Sequence, residues 1–192
     1  QRLALPFQHN DVDHLIAQLA RAREEIGPRG AIVVAIESVY SMDGDTAPVG
    51  AMIDAAAAAR AVLVVDEAHG TGVFGRGGRG VLSTTRGALP QLERAADSAA
   101  AAHPALLAAV HTFGKALGAH GAAVLGSHAL RSYLLNYARP LVYSTALPAH
   151  AAAAARICYA RQASADGDAR RAHVAALAAL FAEALTTDRD TA

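Results

Sequence analysis

The sequence predicts an α/β fold, a mostly parallel sheet flanked by helices. Three observations carry this. Ala31–Ile36 and Val62–Val65 are short apolar runs rich in β-branched residues, too short for helices and of the kind that makes strands buried on both faces. Between them, Pro48 opens a helical stretch over Met52–Ala59, with proline where its missing N–H costs nothing. A strand, a helix and a second buried strand make a parallel crossover unit.

The remaining elements follow from local signals. Asn10-Asp11 offers an N-cap, Val12, Leu15, Ile16 and Leu19 recur at helical spacing up to Glu25, and Gly27-Pro28 ends the helix. Ser41–Asp45 is a polar turn after the first strand. Beyond the second strand, Gly70–Gly80 holds six glycines with Arg76 and Arg79, a loop composition near a site. From Ser83 to His103 the chain is rich in Ala, Arg, Asp and Pro without a clear period, and it reads as a surface insertion containing some helix. Leu106–Val110 and Ala122–Leu125 are the next strands, the latter bracketed by Gly121 and Gly126. Ser127 caps a helix bearing Leu130, Tyr133, Leu134 and Tyr137, Pro140 ends it, and Leu141–Tyr143 reads as a short strand. Ala151–Ala163 and Ala169–Leu185 read as alanine-rich helices separated by Ala165–Asp168. No internal repeat is seen.

Composition narrows the function classes. The 192 residues carry 17 basic and 17 acidic side chains and show no basic cluster, which argues against nucleic acid as the main partner, since phosphate binding needs a clustered basic face. A hydrophobic fraction of 53% is enough to bury a core. No apolar run approaches the ~20 residues that cross a bilayer, so no membrane partner is expected. The single cysteine, Cys158, has no partner for an internal disulfide and fits a reducing compartment. A cytoplasmic location is expected, with an organellar one left open. The chain begins at Gln1, close to an amphipathic helix, and is expected to be part of a longer protein.

Two stretches carry the chemistry: Val64–Gly72 (VVDEAHGTG) and His111–Gly118 (HTFGKALG). Lys115 lies between small residues just after an apolar strand, where a carbonyl cofactor needs an amine for a Schiff base. Asp66 closes a buried strand, where its charge needs a cationic partner such as a protonated pyridine ring. Together they point to pyridoxal 5'-phosphate (PLP), with Lys115 also the acid or base at the substrate α carbon. Each piece alone has a plainer reading, since strand-end aspartates start turns and most lysines are solvated. His69 could hydrogen-bond the cofactor's phenolic oxygen, or equally be a turn histidine bonding backbone carbonyls. Thr112 is placed to bind a phosphate oxygen, or is an ordinary strand-end threonine. Ser41 also follows a buried strand, on the edge where open α/β sheets hold ligands. No metal site is expected.

Four segments, Glu37–Asp45 (ESVYSMDGD), Val65–Gly72 (VDEAHGTG), Thr112–Gly118 (TFGKALG) and Tyr143–Pro148 (YSTALP), together resemble the α-oxoamine synthases. These are fold-type I PLP enzymes that join an amino acid to an acyl-CoA with loss of CO2. Ala68–Gly72 and Gly121–Leu125 are most similar to the 8-amino-7-oxononanoate synthases of biotin synthesis. The resemblance implies that Lys115 is the Schiff-base lysine, Asp66 pairs the pyridine nitrogen and His69 bonds the phenolic oxygen. It also implies that Ser41 and Thr112 contact the cofactor. Ser144 and Thr145 match the pair that reaches the phosphate in the neighbouring subunit, which implies a homodimer with shared sites. The implied reaction converts L-alanine and pimeloyl-CoA, or a pimeloyl carrier protein, to 8-amino-7-oxononanoate. A sister condensing enzyme (2-amino-3-ketobutyrate CoA ligase, 5-aminolevulinate synthase or serine palmitoyltransferase), a secondary-metabolite relative, and an inactive or structural subunit stay open as alternatives. Residues 1–150 correspond to part of the PLP-binding large domain and 151–192 to a helical segment leading toward a C-terminal small domain. The family's upstream glycine turn, its ring-stacking histidine and its C-terminal arginine have no counterpart in these residues, so the chain alone is expected to be inactive.

Overall fold

A computed structural model describes residues 3–85 and 103–189. Helix α1 (Val12–Ile26) starts where the Asp11 carboxylate accepts the His14 N–H at 2.8 Å and stops at Gly27, whose φ of 73° suits glycine. Its buried stripe is Leu15 and Leu19. Strand β1 (Val33–Glu37), helix α2 (Val49–Ala58) and strand β2 (Val62–Asp66) form the expected crossover, with β1 and β2 parallel. Two short 3-10 turns, Arg76–Gly78 and Val81–Ser83, follow β2. Then come strands β3 (Leu106–Thr112) and β4 (Ala122–Gly126), and helices α3 (His128–Tyr137), α4 (Arg139–Val142), α5 (Ala149–Gln162) and α6 (Ala165–Arg189).

The sheet order is β1-β2-β3-β4, with β3 parallel to β2 and β4 antiparallel to β3. The 113–121 connection is too short for a crossover helix, so β4 must return antiparallel. The core lies between one face of the sheet and α1 and α2. Met52, Ala56, Leu63 and Val65 are fully buried there, with Leu15, Leu19, Val34, Ile36 and Leu82 around them. Each of the larger side chains, Ala56 excepted, contributes roughly 1.5–3 kcal/mol by leaving water. Among the described residues no helix is long and apolar enough to cross a membrane.

Three expectations need correction. Strand β1 is buried on one face only: Val34 and Ile36 point into the core, whereas Val33 is 57% exposed. The reason is that α1 and α2 cover one side, and β1 lies at the edge of the four described strands. Leu141 and Val142 are not a strand but belong to α4, because Pro140 takes a first-turn helical position after ending α3. The break between the last two helices is Ala163-Ser164, not Ala165–Asp168. Asp166 and Asp168 sit in the first turn of α6, where negative charge is favoured. Of the expected insertion, residues 86–102 lie outside the described residues.

Candidate active site

Strands β2 and β3 run side by side and end at the same edge of the sheet. Asp66 pairs in register with Val110, and the Glu67 N–H donates to the Val110 carbonyl at 2.8 Å. Because side chains alternate along a strand, Asp66, Val110 and Thr112 share one face, while Val65, Ala109 and His111 share the other. The first face is the more open one and carries the candidate site.

The Asp66 Oδ1 accepts the Ala68 N–H at 2.7 Å, a side-chain-to-backbone bond that starts a turn. The chain then coils once, with Thr71 N–H on the Glu67 carbonyl at 2.8 Å and Phe74 N–H on the Gly70 carbonyl at 2.9 Å. His69 lies half-buried in this coil. Among the described residues no protein donor reaches the second Asp66 oxygen.

Glu67 is the site's main residue that sequence reasoning missed. It is fully buried, and its carboxylate accepts three hydrogen bonds: Ser38 Oγ at 2.7 Å, Val81 N at 3.1 Å and Leu82 N at 2.7 Å. A Cβ at Gly70 would lie 2.0 Å from Glu67 Oε2, and one at Gly80 2.6 Å from it. The glycines of this loop are therefore needed for close approach to a buried carboxylate. Gln162 of α5 also ties the loop down by donating its amide to the Gly77 and Gly78 carbonyls. The signal available in the sequence was an acidic residue next to a strand with glycine three positions on.

Lys115 is displayed on a loop fixed at both ends. Phe113 N–H donates to the Gly121 carbonyl at 2.9 Å, Ala119 N–H to the Phe113 carbonyl at 2.8 Å and Gly118 N–H to the Lys115 carbonyl at 2.9 Å. Phe113 and Leu117 are buried against Ala155 of α5, and Phe113 meets Tyr159 edge to face at 5.8 Å. The Lys115 side chain itself is exposed.

Two contacts join the coil after Asp66 to the lysine segment. Gly72, at φ 86°, faces Ala116 so closely that a Cβ would lie 2.6 Å from the Ala116 Cβ. The Thr71 Oγ1 lies 2.8 Å from His111 Nδ1. Burial pushes the His111 imidazole below its ordinary pKa, against the opposing pull of the Glu67 and Asp66 charges. The Thr112 Oγ1 is buried and has no hydrogen-bond partner among the described residues.

Asp66 and Thr112 thus share one face at the sheet's edge, a strand-end shelf, and His69 and Lys115 lie on the two loops that leave it. Ser41 lies exposed in the turn after β1, closed by the Val39–Thr46 bridge. Ser144 and Thr145 lie in an exposed stretch after α4, where the Ser144 hydroxyl donates to the Pro140 carbonyl. Neither hydrogen-bonds to another candidate among the described residues. The shelf is open. The large groove of about 970 Å³ runs between residues 3–9, α1 and the β1 edge and holds none of the seven candidates. A cavity of about 480 Å³ touches Gly72, Ala116 and Leu117 but stops short of Lys115.

The sequence profile of the family described as aminotransferase class I and II matches residues 5–191. The chain belongs to this family. It is 41% identical over 179 residues to an 8-amino-7-oxononanoate synthase of Klebsiella pneumoniae, a match covering 93% of this chain and 41% of the relative. The serine palmitoyltransferase of Sphingomonas wittichii superposes with a TM-score of 0.69 at 30% identity, over 87% of this chain and 37% of that one. A serine palmitoyltransferase of S. paucimobilis, solved with a PLP adduct of myriocin, gives 0.66 at 30% identity, over 83% and 36%. These relatives are α-oxoamine synthases, as the motifs suggest, and the fold is that of the fold-type I PLP transferases. The chain spans about two fifths of the length of the relatives it matches.

The residues present fit a phosphorylated pyridine cofactor. An unmet carboxylate oxygen on Asp66, an orphaned buried hydroxyl on Thr112 and an exposed amine on Lys115 supply an acceptor, a donor and a nucleophile along one edge.

Proposed function

We propose that the protein is a PLP-dependent enzyme that condenses an amino acid with an acyl-CoA, releasing CO2 and CoA, and that L-alanine and pimeloyl-CoA are its substrates. The observation that carries this reading is the contact of Gly72 with Ala116, which sets the Asp66 coil against the Lys115 loop. The 41% identity to an 8-amino-7-oxononanoate synthase supports the choice of substrates.

When bound, PLP supplies a protonated ring that accepts the electron pair released at the substrate α carbon. The second Asp66 oxygen keeps a proton on the ring nitrogen. Its place at the end of a half-buried strand strengthens that pairing relative to water. The His69 N–H donates to the phenolic oxygen, and the Thr112 hydroxyl donates to the phosphate. The Lys115 amine would hold the cofactor at its aldehyde carbon and would be the group that takes a proton from the substrate α carbon and returns one. Ser41 contacts the cofactor from the β1 side. Ser144 and Thr145 reach the phosphate in a second copy of the chain, so that the working unit is a homodimer. Residues 1–150 serve as part of the cofactor-binding domain and 151–192 lead to a further one.

A second reading, with serine as the amino acid, is favoured by the solved serine palmitoyltransferases among the relatives. The test is a panel of alanine, glycine and serine against pimeloyl-CoA and palmitoyl-CoA with the full-length protein, followed by CoA release. Alanine with pimeloyl-CoA should turn over fastest. Lys115→Ala should abolish borohydride-fixed cofactor and lower turnover by about 10³-fold or more, the order of a lost nucleophile and base. Cofactor still fixed by borohydride in that variant would refute the reading.

A further inference from the structure

His111 stands out among the buried groups that the proposed reaction does not use. It lies in β3 one residue before Thr112, on the opposite face of the sheet from Asp66, and only 7% of it is exposed. An apolar side chain would fill this space without the desolvation that an imidazole suffers there. What the imidazole adds is its hydrogen bond to Thr71, itself 2% exposed.

The donor in that bond follows from proton counting. The Thr71 hydroxyl has one proton, and it donates this to the Glu67 carbonyl at 2.7 Å. Towards His111, 2.8 Å away, it can only accept. His111 must therefore carry its proton on Nδ1. The titratable groups that act on the ring are Glu67 and Asp66, while β4 presents Ala123 beside it in register.

Thr71 closes the coil that begins at Asp66 and contains His69, and His111 precedes the segment that carries Thr112 and Lys115. We infer that His111 is a positioning residue: its Nδ1–H donates to Thr71 and fixes the coil bearing Asp66 and His69 relative to the strand leading to Lys115. The distance between the ring-nitrogen acceptor and the attaching amine is thereby set from beneath the site. This rests on the PLP reading above, but the bond itself exists without the cofactor.

The test compares His111→Leu, His111→Asn and Thr71→Val in the full-length protein. The amide of asparagine places a donor where Nδ1 stands, whereas leucine fills the space and donates nothing. Thr71→Val removes the acceptor and leaves His111 in place. Three quantities are read: hydrogen exchange of the 68–74 amides in cofactor-free protein, the dissociation constant of PLP, and the pH midpoint of its visible absorption. Leucine and valine should speed exchange in 68–74 and weaken PLP about tenfold, the scale of one buried hydrogen bond. They should also move the pH midpoint, and asparagine should restore all three.

A merely space-filling His111 would leave leucine nearest the parent and asparagine worst, and that order overturns the inference. Unchanged exchange, affinity and midpoint in leucine and valine overturn it equally. If the parent takes up no PLP, the functional reading fails, and the exchange measurement alone then decides whether His111 holds the coil. Should His111→Leu fail to fold, Thr71→Val carries the same comparison.

Discussion

The two loops that leave the site's strands, 67–80 after β2 and 113–121 after β3, are both glycine-rich, yet they are held by different physics. The first wraps a fully buried carboxylate, with Glu67 accepting from Ser38, Val81 and Leu82. The second is pinned by apolar anchors, Phe113 and Leu117 against α5, and by three backbone bonds. Directional bonds fix where Asp66 stands, as an ion-pairing group requires. Packing holds the base of the Lys115 loop while leaving the long lysine side chain free to swing, as an attaching amine requires. The lesson is that glycine content alone says nothing about mobility, since at Gly70 and Gly80 it marks close approach to Glu67.

Breaking the first loop should have the largest effect. Glu67→Leu strands three buried donors and should destabilise the protein by roughly 3–5 kcal/mol, from leaving buried polar groups unpaired. Glu67→Gln should lose less, because its carbonyl still accepts. Denaturant unfolding of both variants measures the difference. Equal stability of Glu67→Leu and the parent would show that the loop is not held by this carboxylate.

Breaking the second loop should do slightly less. Phe113→Ala removes an anchor from a small cluster that relaxes more easily than the main core, and a loss of about 3 kcal/mol is expected. Its signature is faster hydrogen exchange confined to 113–121. Exchange spreading equally to 67–80 would mean that the loops are one unit and the contrast is false.

The junction comes next. Gly72→Ala forces a Cβ to 2.6 Å from the Ala116 Cβ at a φ of 86°, which should destabilise by about 1–3 kcal/mol. It should also weaken PLP binding more than its stability effect implies, because both loops move. A crystal structure or PLP titration of the variant checks this.

The smallest effect is the pH dependence from His111. Burial holds its folded pKa below the ordinary value, so between the two values the unfolded chain binds more protons than the folded one. This contribution to stability is fully present above the ordinary histidine value of about 6.5. It is lost as pH falls from there towards the lowered folded value, with no further loss below it. Unfolding measured between pH 5 and 8 should show the decline, and His111→Asn should remove that component.

How much was legible follows the range of the interactions involved. The helix caps at Asp11 and Ser127, the β-branched runs of β1 and β2 and the strand-end places of Asp66 and Lys115 are local signals, and the sequence by itself determined them. Leu141-Val142 failed because a short apolar pair says less about conformation than a preceding proline in a first helical turn. The one-sided burial of β1 depends on which neighbours cover it, which periodicity in one strand cannot report. Glu67 looked like one more acidic residue in a motif, and His111 like a prefix to the lysine. Only the tertiary structure decided that Glu67 collects donors from Ser38, Val81 and Leu82, and that Thr71 meets His111 some forty residues away along the chain. Such bonds depend on chain segments closing in space, where hydrogen-bond geometry selects among pairings that the order of residues leaves equal.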